Sequence, residues 1–276
     1  MFELGESLDG LSPGMVAVLG VPSDVRSSFL RGAAGAPARI RQVMHSGCTN
    51  LCAEDGTDLK TEVRFRDLGD LDLGAVAEMD QVIEKTIGGL LSRDVKVLSL
   101  GGDHAITYPI VRAYAKKHKG LNVLHLDAHP DLYDEYEGVR RSHACTFARI
   151  MEENLVKRLV QVGIRASTPH QGEQARRFGV ETIGVEDLQT KWPVTFNGPL
   201  YLSLDMDVLD PAFAPGVSHP EPGGLATREV IRLIQSLSVP LVGADIVELN
   251  PGRDSSDIAA MAALKLLKEI CSVMLR

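Results

Sequence analysis

The sequence predicts an α/β fold built on one parallel sheet with helices on both faces. Brief apolar runs bounded by Gly, Pro or Asp alternate with stretches whose apolar residues recur at three- and four-residue spacing. The βαβα order runs throughout, which favours parallel strands covered on both sides. No Ser/Gly-rich linker, composition break or internal repeat divides the 276 residues, so one domain spanning 1–276 is expected.

In chain order, strands are expected at Val16–Leu19, Val95–Leu100, Asn122–Leu126, Leu159–Val162, Leu200–Leu204 and Leu241–Val247. Each is short and apolar, as buried strands are. The first helix is expected at Pro37–His45, with Pro at a first-turn position where its missing N–H costs nothing. Further helices are expected at Ala75–Leu91, Tyr108–His118, Gln171–Phe178, Thr227–Leu237 and Asp257–Leu275, each with an apolar stripe at helical spacing.

Composition narrows the function classes. Lys and Arg number 29 against 37 Asp and Glu, a formal charge of −8. A 44% hydrophobic chain of this length buries a sizeable core, which excludes disordered, collagenous and coiled-coil classes. The acidic balance, the lack of a basic stripe and a 5% aromatic content count against nucleic-acid or anionic-membrane partners. Four cysteines (Cys48, Cys52, Cys145, Cys271) are too few for a disulfide scaffold. Cys48 and Cys52 have a metal-like spacing but no second pair, so reduced thiols are expected. With no apolar run of about 18 residues and no signal-peptide pattern in MFELGESLDGLSPGM, a cytoplasmic chain is expected.

In such a sheet the functional crevice lies outside the C-terminal strand ends. Three of those ends carry chemistry: Gly101-Gly102-Asp103-His104, Asp127-Ala128-His129-Pro130-Asp131 and Asp205-Met206-Asp207. Extended backbone places side chains two apart on one face, which pairs Asp127 with His129 and Asp205 with Asp207. Pro130 stops the strand and lets Asp131 fold back over the same spot. A lone Asp-x-Asp reads as a turn or a helix cap, but three such motifs at three strand ends read as metal ligands. Four carboxylates gathered in one crevice would repel one another and resist ionisation. Two divalent cations, with +4 against −4, remove that conflict. Two imidazoles, no thiolate and many oxygens favour Mn²⁺ over Zn²⁺, with Ni²⁺, Co²⁺ and Fe²⁺ as alternatives. His125 lies deeper in its strand and reads as a hydrogen-bonded core histidine, and Asp103 as a turn cap or support for the ligands.

The motifs GGDHAITYPIV, HLDAHPDLYDEYEGVRRSHACTFARI, SLDMDVLDPAFAPGVSHPEPGGL and VGADIVELNP resemble the ureohydrolase family of arginases and agmatinases. The similarity is greatest to the plant-type arginase branch and extends to the N-terminal VLGVPSD…SSFLRGAAGAPARIR. It implies a three-layer α/β/α fold with a central, mainly parallel sheet and a site for two Mn²⁺. One ion would take His104, Asp127, Asp131 and Asp205; the other would take Asp127, His129, Asp205 and Asp207. The resemblance also assigns proton delivery to His143 and guanidinium binding to Glu248; Asp131 could in addition accept a hydrogen bond from the attacking hydroxide. The substrate implied is a small cationic guanidino compound, L-arginine first, agmatine or a guanidino acid second, cleaved to urea and an amine. A homo-trimer or homo-hexamer is implied as well.

The segment Leu132–Arg141 should line the mouth of the site. Arg140 and Arg141 could receive a carboxylate there, and Asp134, Glu135 and Glu137 an amine; His219 is a candidate loop contact. Plant-type arginases resemble EGNKYSHAS over the matching stretch, where Val139, Arg140 and Arg141 replace the middle. A non-catalytic relative would be expected to lose a ligand, the proton donor or the guanidinium carboxylate, yet all are present. Gly101-Gly102 and Gly223-Gly224 fit neither nucleotide-binding glycine pattern.

Overall fold

The computed structural model describes residues 10–276. Eight strands form one sheet: β1 (Val16–Val21), β2 (Phe65–Asp70), β3 (Lys96–Gly101), β4 (Asn122–Leu126), β5 (Arg158–Ile164), β6 (Glu181–Gly184), β7 (Leu200–Asp205) and β8 (Leu241–Val247). Their order is β2-β1-β3-β8-β7-β4-β5-β6, and every pairing is parallel. The helices are α1 (Ala36–His45), α2 (Met79–Leu91), α3 (Thr107–Lys117), α4 (Thr146–Glu152), α5 (Pro169–Phe178), α6 (Leu188–Lys191), α7 (Thr227–Gln235) and α8 (Ile258–Leu275).

Strand alternation divides the core into two apolar layers. On one face Val16, Val18, Leu98, Leu124, Leu202 and Leu204 pack with α1, α7 and α8. On the other, Ala17, Leu19, Val97, Val123, Leu159 and Tyr201 pack with α2, α3 and α4. The expected three-layer α/β/α arrangement is what forms. Among the described residues no helix is long and apolar enough to cross a membrane.

All six expected strands are present, two with the expected bounds and four with ends shifted by one or two residues. Two more, β2 and β6, flank the sheet. Their sequences, FRDLGD and ETIG, are partly exposed and lack an apolar run, because an edge strand buries only one side. The seven-residue α4 was also unexpected; it follows directly on the turn at His143–Cys145. The second helix starts at Met79 rather than Ala75, after turns joining Glu78 N to Ala75 O and Met79 N to Val76 O.

β3 and β4 are separated in the sheet by β8 and β7, because the chain skips two positions after β3, continues outward to β6, and then turns back to fill the gap. The C-terminal ends of these four neighbours open onto one crevice, where such sheets place their ligands. The loop after β1 crosses that crevice closely over Gly102. Gly102 N donates to Val21 O at 3.2 Å, and Asp103 N to Ser23 O at 2.8 Å. A Cβ on Gly102 would stand 1.7 Å from Ser23 O, which is backbone and cannot swing aside. Gly102→Ala is therefore expected to cost about 3 kcal/mol and to lower Tm by several degrees. Thermal unfolding checks this; a variant as stable as the parent would contradict it.

Candidate active site

Each acidic motif is shaped by a local turn rather than by continued strand. Asp127 Oδ1 accepts from His129 N at 2.6 Å, and Asp205 Oδ1 from Asp207 N at 2.8 Å. Asp103 Oδ1 accepts from Ala105 N at 3.1 Å. The turn and cap role weighed for these motifs is thus real, and it is what points the remaining carboxylate oxygens into the crevice. Asp131 and Glu248 adopt left-handed backbone at φ 51° and 65°. That conformation is costly for residues other than Gly and gathers at functional sites. Glu248 is anchored by its own N–H to Gly102 O at 2.9 Å, which ties the end of β8 to the end of β3.

Below the strand ends runs a row of buried polar side chains in register across the central strands: Gln161, His125, Ser203, Asp245 and Ser99. Its hydrogen bonds lead upward. Gln161 Nε2 donates to Pro130 O at 2.6 Å and to His125 Nδ1 at 3.1 Å. An amide nitrogen can only donate, so His125 carries its proton on Nε2 and donates to Asp127 Oδ2 at 2.6 Å. His125, Asp127 and His104 offer ligand atoms within 4.8 Å of one another, but both nitrogens of His125 are occupied, as expected of a core histidine. Ser203 donates to Asp245 Oδ1 at 2.7 Å, so its oxygen accepts from His104 Nε2 at 2.9 Å. Tyr201 and Thr107 complete the donors to Asp245.

His104 Nδ1 therefore faces the crevice. It lies 3.2 Å from Asp127 Oδ2, 3.1 Å from Asp131 Oδ2 and 3.2 Å from Asp205 Oδ2. This nitrogen is fully buried and well aligned for a hydrogen bond with none of the three. His129 Nδ1 lies 3.0 Å from Asp207 Oδ2 and 3.5 Å from Asp127 Oδ1. The structure thus brings His104, Asp127, His129, Asp131, Asp205 and Asp207 into one cluster. Burial raises Asp205 well above the usual carboxylate range, with the charges of Asp207 and Asp127 adding to it. Burial and Asp127 push Asp207 up to about 6. Burial works against charge on His129, but Asp207 and Asp127 push it up to about 12. The cluster has more negative charge than its protein neighbours neutralise, the environment of a cation site.

Beside the cluster, His143 Nδ1 lies 2.7 Å from Glu248 Oε1, which also accepts from His104 N at 2.8 Å. Among the described residues no hydrogen bond reaches Glu248 Oε2. Burial opposes charge on His143, yet the Glu248 carboxylate holds it up to about 9. Both residues line a cavity of about 170 Å³, together with His129, Asp131, Asp205, Asp207, Ser28, Tyr133, Tyr136, Gln171 and His219. That volume suits one small molecule. His219 sits at the rim against Phe29, its ring 5.3 Å from that of His143, and burial depresses its pKa.

None of the five charged side chains expected at the mouth lines this cavity: Glu135 and Glu137 are exposed, and neighbours hold the other three. Arg141 donates to Asp80 at 2.8 Å and stacks 3.8 Å above the Tyr108 ring. Arg140 pairs with Asp134 at 2.7 Å and Glu152 at 3.2 Å, and Asp134 is held by Arg149 at 3.0 Å. From the same segment Tyr133 and Tyr136 reach the cavity instead. Sequence reasoning also missed Ser28, Gln171 and, apart from His125, the polar row. The row did leave a signal: Gln161, His125, Ser203 and Asp245 are isolated polar residues inside apolar strands.

The model of the arginase family matches residues 15–272. "Arginase 1, mitochondrial" of Arabidopsis thaliana is 44% identical over 93% of this chain and 80% of its own length. "Agmatinase" of Bacillus cereus is 34% identical over 92% of this chain and 90% of its own. The solved arginase from Medicago truncatula superposes with a TM-score of 0.89 at 41% identity, covering 97% of this chain and 89% of the other. The chain belongs to the arginase family.

Proposed function

We propose that this protein hydrolyses the guanidino group of L-arginine to urea and L-ornithine, with two Mn²⁺ as cofactors. The observation that carries the reading is the cluster of four buried aspartates, buried His104 and half-buried His129 beside the His143–Glu248 pair. The residues fit divalent cations. The hydrogen-bond chain through Ser203 gives His104 Nε2 its proton, which leaves Nδ1 able to present a lone pair amid three carboxylate oxygens. His104, Asp127, Asp131 and Asp205 would hold one ion; His129, Asp127, Asp205 and Asp207 would hold the other. Ni²⁺ and Co²⁺ suit the same donors. Divalent ions bound there supply Lewis acidity and a water acidified toward neutral pH.

The chain's own residues account for the remaining steps. Glu248 Oε2 receives the guanidinium, whose planar N–H pair matches a carboxylate. Asp131 takes the proton of the attacking water as the C–O bond forms. The tetrahedral carbon then expels the amine, which must gain a proton to leave. Since His143 Nδ1 is engaged by Glu248, that proton leaves from Nε2. The active assembly proposed, on the resemblance, is a homo-trimer or homo-hexamer of the single 276-residue catalytic domain.

Two features of the mouth bear on the substrate. Thr168 N donates to Gln171 Oε1 at 3.1 Å, which fixes the amide's orientation and leaves its NH₂ as the free end of a cavity-lining side chain. A donor at that point suits the α-carboxylate of arginine. Agmatine is the alternative, because among the described residues no Lys or Arg lines the cavity to neutralise a carboxylate.

Urea release by Mn²⁺-loaded protein against arginine, agmatine and guanidinobutyrate tests the reading. Arginine should be preferred, and no urea from any of the three would contradict it. Gln171→Glu keeps the acceptor for Thr168 but replaces the donor with charge. It should lower kcat/KM for arginine about ten-fold or more and leave agmatine unharmed. Ser203→Ala should weaken metal affinity by about 10- to 100-fold without unfolding the chain, read by titration against a chelator. Unchanged affinity would remove Ser203 from that role.

A further inference from the structure

The loop after β1 supplies none of the clustered carboxylates, yet it is tied down at several points. Asp24 Oδ2 accepts from Gly32 N at 2.6 Å and Ala34 N at 3.3 Å, closing the loop on itself. Arg26 N donates to Asp103 Oδ2 at 2.9 Å, and Ser27 Oγ reaches the same oxygen at 3.3 Å. The Arg26 guanidinium forks onto Asp80 at 2.7 and 3.1 Å, and Arg26 O accepts from His143 N at 3.2 Å. These anchors deliver Ser28 to the imidazole of His143. Ser28 N lies 3.2 Å from Nε2 and Ser28 Oγ 2.8 Å from it.

The two contacts differ chemically. A backbone N–H can only donate, so it is satisfied when Nε2 is bare. A hydroxyl can donate to a bare Nε2 or accept from a protonated one. Ser28 therefore offers Nε2 a partner before and after a proton has left it. Nδ1 is committed to Glu248 at 2.7 Å, so Nε2 is the ring nitrogen through which a proton passes. Both Ser28 and His143 line the cavity. Among the described residues the Ser28 hydroxyl has no other hydrogen-bond partner, and the loop's anchors do not involve it. Its placement serves the imidazole rather than the loop.

We propose that Ser28 is a positioning residue for the hydrolysis, holding His143 with Nε2 aimed into the cavity in both of its protonation states. The inference rests on the reading of His143 as the proton donor to the leaving amine. It does not make Ser28 a group that touches the reacting atoms.

The test compares wild type, Ser28→Ala, Ser28→Thr and His143→Ala, all loaded with Mn²⁺, for kcat and KM in urea release, bound metal and Tm. Ser28→Ala should lose about ten-fold in kcat, with KM, metal content and Tm close to wild type. Ser28→Thr, which keeps the hydroxyl, should recover most of the rate, and His143→Ala should fall below both serine variants. Unchanged kcat in Ser28→Ala overturns the proposal. So does a loss of rate that tracks lost metal or lower Tm, or a threonine variant as slow as alanine. A wild type that releases no urea removes the underlying reading and this inference with it, an outcome distinct from an active wild type indifferent to Ser28.

Discussion

Four aspartate carboxylates buried side by side at the ends of β4 and β7 are the constraint around which the molecule is arranged. Buried carboxylates left unpaired cost several kcal/mol each, so every one must find donors or cations. Asp127 takes the His125 ring N–H and the His129 backbone N–H; Asp205 takes the Asp207 N–H, and Asp207 the Ala128 N–H at 3.0 Å. Those donors come from the strand ends themselves and from the polar row one layer down. A row containing Gln161, His125, Ser203 and Asp245 would be an expensive feature in a purely structural parallel sheet. It persists here with its hydrogen bonds directed at the residues above it.

Topology gives that constraint its place. Because β7 and β8 insert between β3 and β4, residues from four distant stretches of chain meet at one crevice. The left-handed backbone of Asp131 and Glu248 turns two carboxylates back toward the crevice that their strands would otherwise leave. The His143 turn is brought in from the opposite wall by Tyr133 N to Ala144 O at 3.1 Å and by the Arg26 carbonyl. His143, Glu248 and the charged cluster thus stand on separate elements, each held by backbone contacts to another.

The cluster was legible in the sequence because its motifs are local: Asp127 and Asp205 are each followed two residues later by the His or Asp they work with, at the end of a recognisable strand. The strands were legible for the same reason, being continuous apolar runs. What could not be read depends on long-range approach. Nothing in LYDEYEGVRR shows that Arg141 will find Asp80 and the Tyr108 ring, or that Arg140 will be spent on Asp134 and Glu152. Ser28 lies 115 residues from His143, and only the fold brings them together. The edge strands β2 and β6 escaped because half-exposed strands carry no strong pattern.

The most direct measurement of the central claim is the number of divalent ions that the cluster binds. Calorimetric titration of metal-free protein with Mn²⁺ should give two ions per chain. Asp127→Ala should lose both together, since Asp127 contacts both His104 and His129. One ion or none in the parent, or two ions retained by Asp127→Ala, would contradict a shared two-metal site.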